Sequence, residues 1–237
     1  MKYLIDLHTH TIASGHGYST FMENVVTAKQ KGLEVYGVSE HAPGMPGGPH
    51  MFFFANLTIL PGEYEGMRIL KGCEANIVDL DGHLDLDDSL LERLDYVIAS
   101  MHVPCVKSGT AKENTDCLIR VMDNPNVRII GHPDDSRYPL EYDRLVMAAK
   151  EKGILLEVNN ASLSPRSVRK GGIENTEMYL KLCKEWNVPV ILGTDSHYAV
   201  YIGDFSSAEE VLKKVDFPEE LIVNTSIDKL RAFLPKL

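Results

Sequence analysis

The 237-residue sequence predicts an α/β protein built on a barrel-like parallel sheet. Three observations predict it. Short apolar, β-branched runs recur, and each leads through a polar or glycine-containing turn into a helical pattern. Several runs are almost continuously apolar, as in Val190-Ile191-Leu192, which suits strands covered on both faces. Seven such runs fit a single domain over 1–237, a number that favours a barrel over a small open sheet, with the open sheet left as the alternative on sequence alone.

The first run, Tyr3-Leu4-Ile5-Asp6-Leu7, is followed by a helical pattern over 21–31 and a second strand over 35–39. A long connection over 42–66 then breaks the rhythm, with four of the twelve prolines and the triplet Phe52-Phe53-Phe54. A connection this long inside a compact domain points to function or mobility. The triplet suits either a satellite core beneath the connection or an apolar wall or lid over a pocket. The third strand covers 68–74, a hairpin turning at Asp81-Gly82 covers 77–86, and a short helix covers 89–93. Strands over 96–100, 127–130, 155–159 and 188–193 then alternate with helices over 115–122, 142–152, 174–186 and 206–215.

Charge and composition exclude several function classes. The chain has 24 Lys+Arg against 34 Asp+Glu, a net charge of -10, and no basic stripe, which argues against a nucleic-acid binder. The first apolar stretch is interrupted too soon for a signal peptide, and no run nears the ~18 apolar residues of a membrane helix. The expectation is a soluble cytoplasmic protein with no membrane partner. Cys73, Cys105, Cys117 and Cys183 show no C-x-x-C spacing and read as reduced, packed thiols. Nothing in the sequence decides between a monomer and a homo-oligomer.

The nine histidines carry the functional signal. The first strand runs into His8-Thr9-His10, with His16 beyond. The second runs into Ser39-Glu40-His41, the third ends on Glu74, the fourth leads to His102, the fifth to His132 and the seventh to Asp195-Ser196-His197. In α/β barrels the strand C-termini converge on one mouth, so seven histidines, Glu74 and Asp195 would gather there. In extended chain, residues i and i+2 share a face, which lets His8 and His10 reach one pocket, and likewise Asp195 and His197. A lone H-x-H is weak; histidines at nearly every strand end are not. Nine such ligands exceed the needs of one ion and suit two to three, with zinc, manganese or ferrous iron all compatible with imidazole and carboxylate.

The combination Asp6-Leu7-His8-Thr9-His10, Ser39-Glu40-His41, Glu74, Met101-His102, Gly131-His132-Pro133 and Gly193-Thr194-Asp195-Ser196-His197 resembles the PHP (polymerase and histidinol phosphatase) family. His16-Gly17-Tyr18-Ser19-Thr20, Glu74-Ala75-Asn76-Ile77 and Glu157-Val158-Asn159-Asn160 place it nearest the small single-domain bacterial phosphatases with a trinuclear zinc site. The resemblance covers residues 4 to about 224. It implies a distorted seven-stranded (β/α)7 TIM-like barrel. It also implies one ion on His8, His10, Glu74 and Asp195, a second on Glu74, His102 and His132, and a third on His16, His41 and His197. The branch carries Gly and Asn after this His-Pro, whereas Asp134 and Asp135 follow Pro133 here. They suit a cap on the next segment, or else carboxylates that repel an anion or tighten a cation.

Three divalent ions less two carboxylates leave a formal charge of about +4, a site for anions. The expected reaction is hydrolysis of a small phosphate monoester by hydroxide that the ions generate near neutral pH, with no phospho-enzyme. Asp195 is the candidate for handling the water proton; Asp6, on the same strand face as His8 if the strand is regular, is the candidate for orienting it, or else makes a strand-end hydrogen bond. Arg166 and Arg169, in the loop after the sixth strand, would grip a phosphate oxygen, or else form a solvated basic loop. The alternatives are a phosphodiesterase or nuclease of the same family and a metal-binding scaffold without turnover.

Overall fold

A computed structural model of the chain describes residues 1–237. Two Thr-x-x-Glu sequences start helices. Thr20 accepts from the Glu23 amide while the Glu23 carboxylate takes the Thr20 amide, which opens α1 (Phe21–Gln30). Another helix begins with the same reciprocal box between Thr110 and Glu113, four residues before the helix predicted at 115.

The strands are β1 (Ile5–Asp6), β2 (Val35–Val38), β3 (Glu63–Tyr64), β4 (Met67–Asn76), β5 (Tyr96–Ser100), β6 (Val127–Ile130), β7 (Leu155–Asn159) and β8 (Val190–Gly193). The helices after α1 are α2 (Met51–Asn56), α3 (Asp88–Leu91), α4 (Ala111–Val121), α5 (Tyr142–Lys152), α6 (Asn160–Leu163), α7 (Gly172–Trp186), α8 (Ser206–Lys214) and α9 (Ile227–Arg231). Seven strands pair in parallel in the order β1-β2-β4-β5-β6-β7-β8, and β3 adds antiparallel to β4. The predicted seven strands are all present. The eighth, β3, is a two-residue strand inside the long connection, too short to leave a sequence pattern.

The barrel is nearly closed. Between β8 and β1 the only ladder contact is a single parallel bridge, Thr9 to Ser196, where the His10 amide donates to the Ser196 carbonyl at 2.8 Å. Below it the Asn224 side chain spans the gap. It donates to the carbonyls of Ile5 and Leu192, both at 2.8 Å, and accepts from the Leu192 amide at 2.7 Å. Buried Asp6 fastens the same seam, accepting from the Thr194 hydroxyl at 2.6 Å and the Gly203 amide at 3.0 Å.

Two apolar layers result. Ile5, Leu7, Leu70, Ile98, Ile129 and Ile191 fill the barrel, and Leu230 and Leu234 pack beneath them against the first residues of the strands. Tyr96 also points inward; a Cβ on Gly37 or Gly72 would lie 2.2 or 2.4 Å from its side chain, so these two glycines make its room. A larger layer of 42 buried residues lies mainly between sheet and helices. Phe54 belongs to it, Phe53 packs against it, and Phe52 is 73% exposed. The triplet is therefore chiefly satellite core, and none of its rings lines the large cleft at the barrel mouth. The predicted hairpin is a single antiparallel bridge, Ile77 to Leu84, with Gly82 at φ 91°. All four cysteines are free. No helix is long and apolar enough to cross a membrane.

Candidate metal centre

Every predicted ligand reaches the barrel mouth. Glu74, near the end of β4, is the centre. Its Oε2 lies 3.3 Å from His8 Nε2, 3.4 Å from His10 Nε2 and 2.7 Å from His41 Nδ1. Its Oε1 lies 3.2 Å from His102 Nε2 and 2.9 Å from His132 Nε2. Five imidazoles thus surround one fully buried carboxylate. Asp195 Oδ1 sits 3.2 Å from His10 Nε2 and 3.6 Å from His8 Nε2. His16 and His197 form the outer edge, with their Nε2 atoms 3.0 Å apart. The His10 ring is stacked between His41 and His197, at 4.2 Å from each. His132 and Asp195 adopt left-handed backbone, with φ of 28° and 52°, a conformation that costs non-glycine residues roughly 1–2 kcal/mol and collects at functional sites.

Residues behind the ligands fix which ring nitrogen faces inward. His8 Nδ1 lies 2.6 Å from Glu157 Oε1, and a carboxylate can only accept, so His8 turns Nε2 to the centre. The Asn76 side-chain amide donates to Asp85 Oδ2 at 2.6 Å and to the Ala42 carbonyl, which leaves Asn76 Oδ1 to accept from His102 Nδ1 at 2.8 Å. His10 Nδ1 meets the Ser14 hydroxyl at 3.1 Å, and that hydroxyl meets Glu40 Oε2 at 2.5 Å. These partners were not singled out by sequence as orienting groups. For Glu157 the signal was a charged residue inside the apolar run Leu155-Leu156-Glu157-Val158; Ser14 and Glu40 carried none. Asp6, the orienter expected from the sequence, does not reach the His8 ring. Strand β1 ends at Asp6, and its carboxylate accepts from the His8 backbone amide at 3.4 Å and from Thr194 and Gly203 across the seam.

Charge follows from burial and neighbours. Burial pulls His8 down, but Glu157, Glu74 and Asp195 outweigh it and hold its pKa well above the usual value. Burial pushes Glu74 up, and His8, His102 and His41 reverse this, leaving it well below the carboxylate range. Asp195 is likewise held low against burial by His8 and Arg169. Burial dominates at His10, which is held well below 6.5, and at His102, lowered to about 4.

The donor set fits divalent metal ions. His8 Nε2, His10 Nε2, His41 Nδ1, Glu74 Oε2 and Asp195 Oδ1 are buried and make no hydrogen bond. Each such atom costs about 1–3 kcal/mol, and cations among them would resolve all five. Three groups have their ligand atoms within 4.8 Å of one another: His10, His41 and His197; His8, His10 and Glu74; His41, Glu74 and His102. Nitrogen and carboxylate oxygen suit zinc, manganese or iron.

Above the cluster opens a cleft of about 770 Å³. Both predicted arginines line it. Arg169 donates to Asp195 Oδ2 at 2.9 Å, Asn159 Oδ1 at 3.2 Å and Ser162 at 3.0 Å. Arg166 pairs with no carboxylate; it stacks 4.5 Å from the Tyr201 ring centroid and donates to its hydroxyl. Asp135 clips the loop after β6, accepting from the Arg137 amide and guanidinium. Asp134 is fully buried and does not line the cleft; burial raises its carboxyl to about 6 against the pull of Arg169 and His132.

Comparison with known proteins agrees with this geometry. Over 99% of its length the chain is 48% identical to a protein from Clostridium novyi (strain NT) described as "Probable phosphatase", with 95% of that protein covered. It is 46% identical, over the same shares, to another so described from Clostridium acetobutylicum. The fold matches that of histidinol phosphate phosphatase from Lactococcus lactis, a structure in complex with zinc, L-histidinol and phosphate. The TM-score is 0.60 at 19% identity, with 91% of this chain and 95% of the other covered. The model of the PHP domain matches residues 6–161, and the chain belongs to the PHP domain family.

Proposed function

We propose that the protein is a metal-dependent hydrolase of small phosphate monoesters acting at a trinuclear site. The observation that carries this reading is the set of five buried, unpartnered donor atoms converging at the barrel mouth, in a chain whose full-length relatives are described as probable phosphatases. His8, His10, Glu74 and Asp195 would hold one ion, Glu74, His102 and His132 a second, and His16, His41 and His197 a third. The split of Glu74 supports a bridging role, since Oε2 faces His8 and His10 while Oε1 faces His102 and His132. When bound, such ions supply positive charge for the phosphoryl oxygens and lower the pKa of water.

The protein's own groups do the rest. Asp195, ionised because its pKa is held low, is an acceptor that can orient the attacking water, and Arg169 fixes its outer oxygen. Arg166 is the cleft arginine without a carboxylate partner, and is assigned to a substrate oxygen. Three ions less two carboxylates give a formal charge of about +4, which favours a monoester dianion over a diester monoanion. The test compares kcat/KM for an aryl monophosphate, the matching aryl diester and single-stranded DNA under one metal condition, alongside metal content. The monoester should lead, at close to three metals per chain. Preference for the diester or DNA would overturn the phosphatase reading, and one metal or fewer after reloading would overturn the trinuclear one.

A further inference from the structure

Ser14 occupies a place that no ligand pattern marks. It sits in the single helical turn Ile12–Ser14 between His10 and His16 and is fully buried. Three groups meet at its Oγ: His10 Nδ1 at 3.1 Å, the backbone amide of His41 at 3.1 Å and Glu40 Oε2 at 2.5 Å. Glu40 is itself buried, and the Thr11 amide lies 3.0 Å from both of its oxygens.

Hydrogen-bond accounting leaves one arrangement. A serine hydroxyl has one proton and two lone pairs. The proton must go to the Glu40 carboxylate, which can only accept. One lone pair must take the His41 amide, which can only donate. The other takes a proton from His10 Nδ1. His10 is thereby left with a bare Nε2, aimed at Asp195 Oδ1 and Glu74 Oε2 at 3.2 and 3.4 Å. The same oxygen anchors the backbone at His41, whose ring stacks on His10.

We propose that Ser14, backed by Glu40, is a positioning hub that fixes His10 as its Nδ1–H tautomer and couples metal loading at His10 to metal loading at His41. This rests on the metal-site reading above and adds to it a pair of residues outside the ligand set. The hub holds two different ligands by one oxygen, so disturbing it weakens both positions together. Removing an outer partner of a ligating histidine typically weakens metal binding 10- to 100-fold.

The first measurement needs no variant of the hub. Long-range proton–nitrogen NMR of ¹⁵N-histidine-labelled, metal-free protein at pH 8 reads the His10 tautomer, with the resonance assigned by its loss in His10→Asn. The expected form is Nδ1–H; an Nε2–H His10 overturns the hub. The second is zinc titration against a chromophoric chelator. Ser14→Ala should weaken at least two ions by about 10- to 100-fold. Glu40→Gln, whose amide oxygen still accepts the Ser14 hydroxyl, should lose less. Circular dichroism establishes that each variant is folded. Wild-type-like binding of all ions by folded Ser14→Ala overturns the hub, whereas a wild-type protein that binds no zinc overturns the metal-site reading itself.

Discussion

Glu157→Gln changes one oxygen for an amide at nearly constant volume, in a place where every neighbour donates. Glu157 Oε1 accepts from His8 Nδ1 at 2.6 Å, and Oε2 accepts from the His132 amide at 2.7 Å and the Asn159 side-chain amide at 3.0 Å. Glutamine must point its NH₂ at one side. Pointed at His132 and Asn159, it sets donors against donors in a buried pocket, at a cost of about 1–3 kcal/mol, and frees the amide that helps hold His132 in its left-handed conformation. Pointed at His8, it forces the imidazole proton onto Nε2, the atom that faces Glu74 and Asp195, and removes a ligand. The first outcome lowers stability, and either takes a fixed partner from a candidate ligand, a loss that typically weakens metal binding about 10- to 100-fold.

A second readout separates this from general damage. In the wild type, burial pulls His8 down but the charges of Glu157, Glu74 and Asp195 hold its pKa well above the usual value. Metal must therefore displace a proton, and affinity rises with pH until His8 deprotonates unaided. Without the Glu157 charge, burial pulls His8 down and there is less proton to displace. Zinc titration against a chelator at several pH values should show weaker binding with a shallower pH dependence, in protein that melts cooperatively. Wild-type affinity with an unchanged pH slope would refute the orienting role of Glu157.

Three further outcomes are expected. Gly193→Ala places a Cβ 1.8 Å from Glu157 Oε1 and 2.8 Å from the His8 Cβ; it should cost about 1–3 kcal/mol in denaturant melts and reproduce the weakened metal binding of Glu157→Gln. Leu230→Ala empties a fully buried position beneath the barrel core and should cost about 2–5 kcal/mol with metal content unchanged; a loss under about 1 kcal/mol would refute the packing of Leu230 against the barrel core. Glu74→Ala should lose more than one metal per chain by elemental analysis and nearly all turnover, since both of its oxygens face ligand sets; full metal content would refute its bridging place.

What was legible in the sequence is what strand ends impose. A parallel barrel brings the C-terminal ends of its strands to one mouth, so histidines read off those ends converge whatever the detail of register. That is why His8, His41, His102 and His132 could be placed together across 124 residues of chain. Periodicity failed where elements are shorter than their period. β1 has two residues, so the shared-face argument that paired Asp6 with His8 had no strand to act on. β3, equally short, left no pattern. The start of α4 was legible in Thr110-x-x-Glu113, a capping signal that the apolar periodicity beginning later concealed.

The orienting groups were hidden for a different reason. Glutamate, serine and asparagine each have many structural uses, and only a partner 149 residues away, as for His8 and Glu157, turns one into a ligand's anchor. Their shared logic appears once distances are known. His8 is backed by a carboxylate directly, His10 by one through a serine, and His102 by one through an asparagine. Each arrangement commits the outer nitrogen to a proton; at His10 and His102, which burial holds low, the inner nitrogen is bare, whereas His8 keeps an inner proton that metal would displace. A bare nitrogen facing carboxylate oxygens is an arrangement of mutual repulsion until a cation stands between them. Left-handed His132 and Asp195 belong to the same balance: backbone strain there brings a ring and a carboxylate to the mouth. On the metal-site proposal the centre is held in an unfavourable state by its surroundings, and bound cations would relieve it.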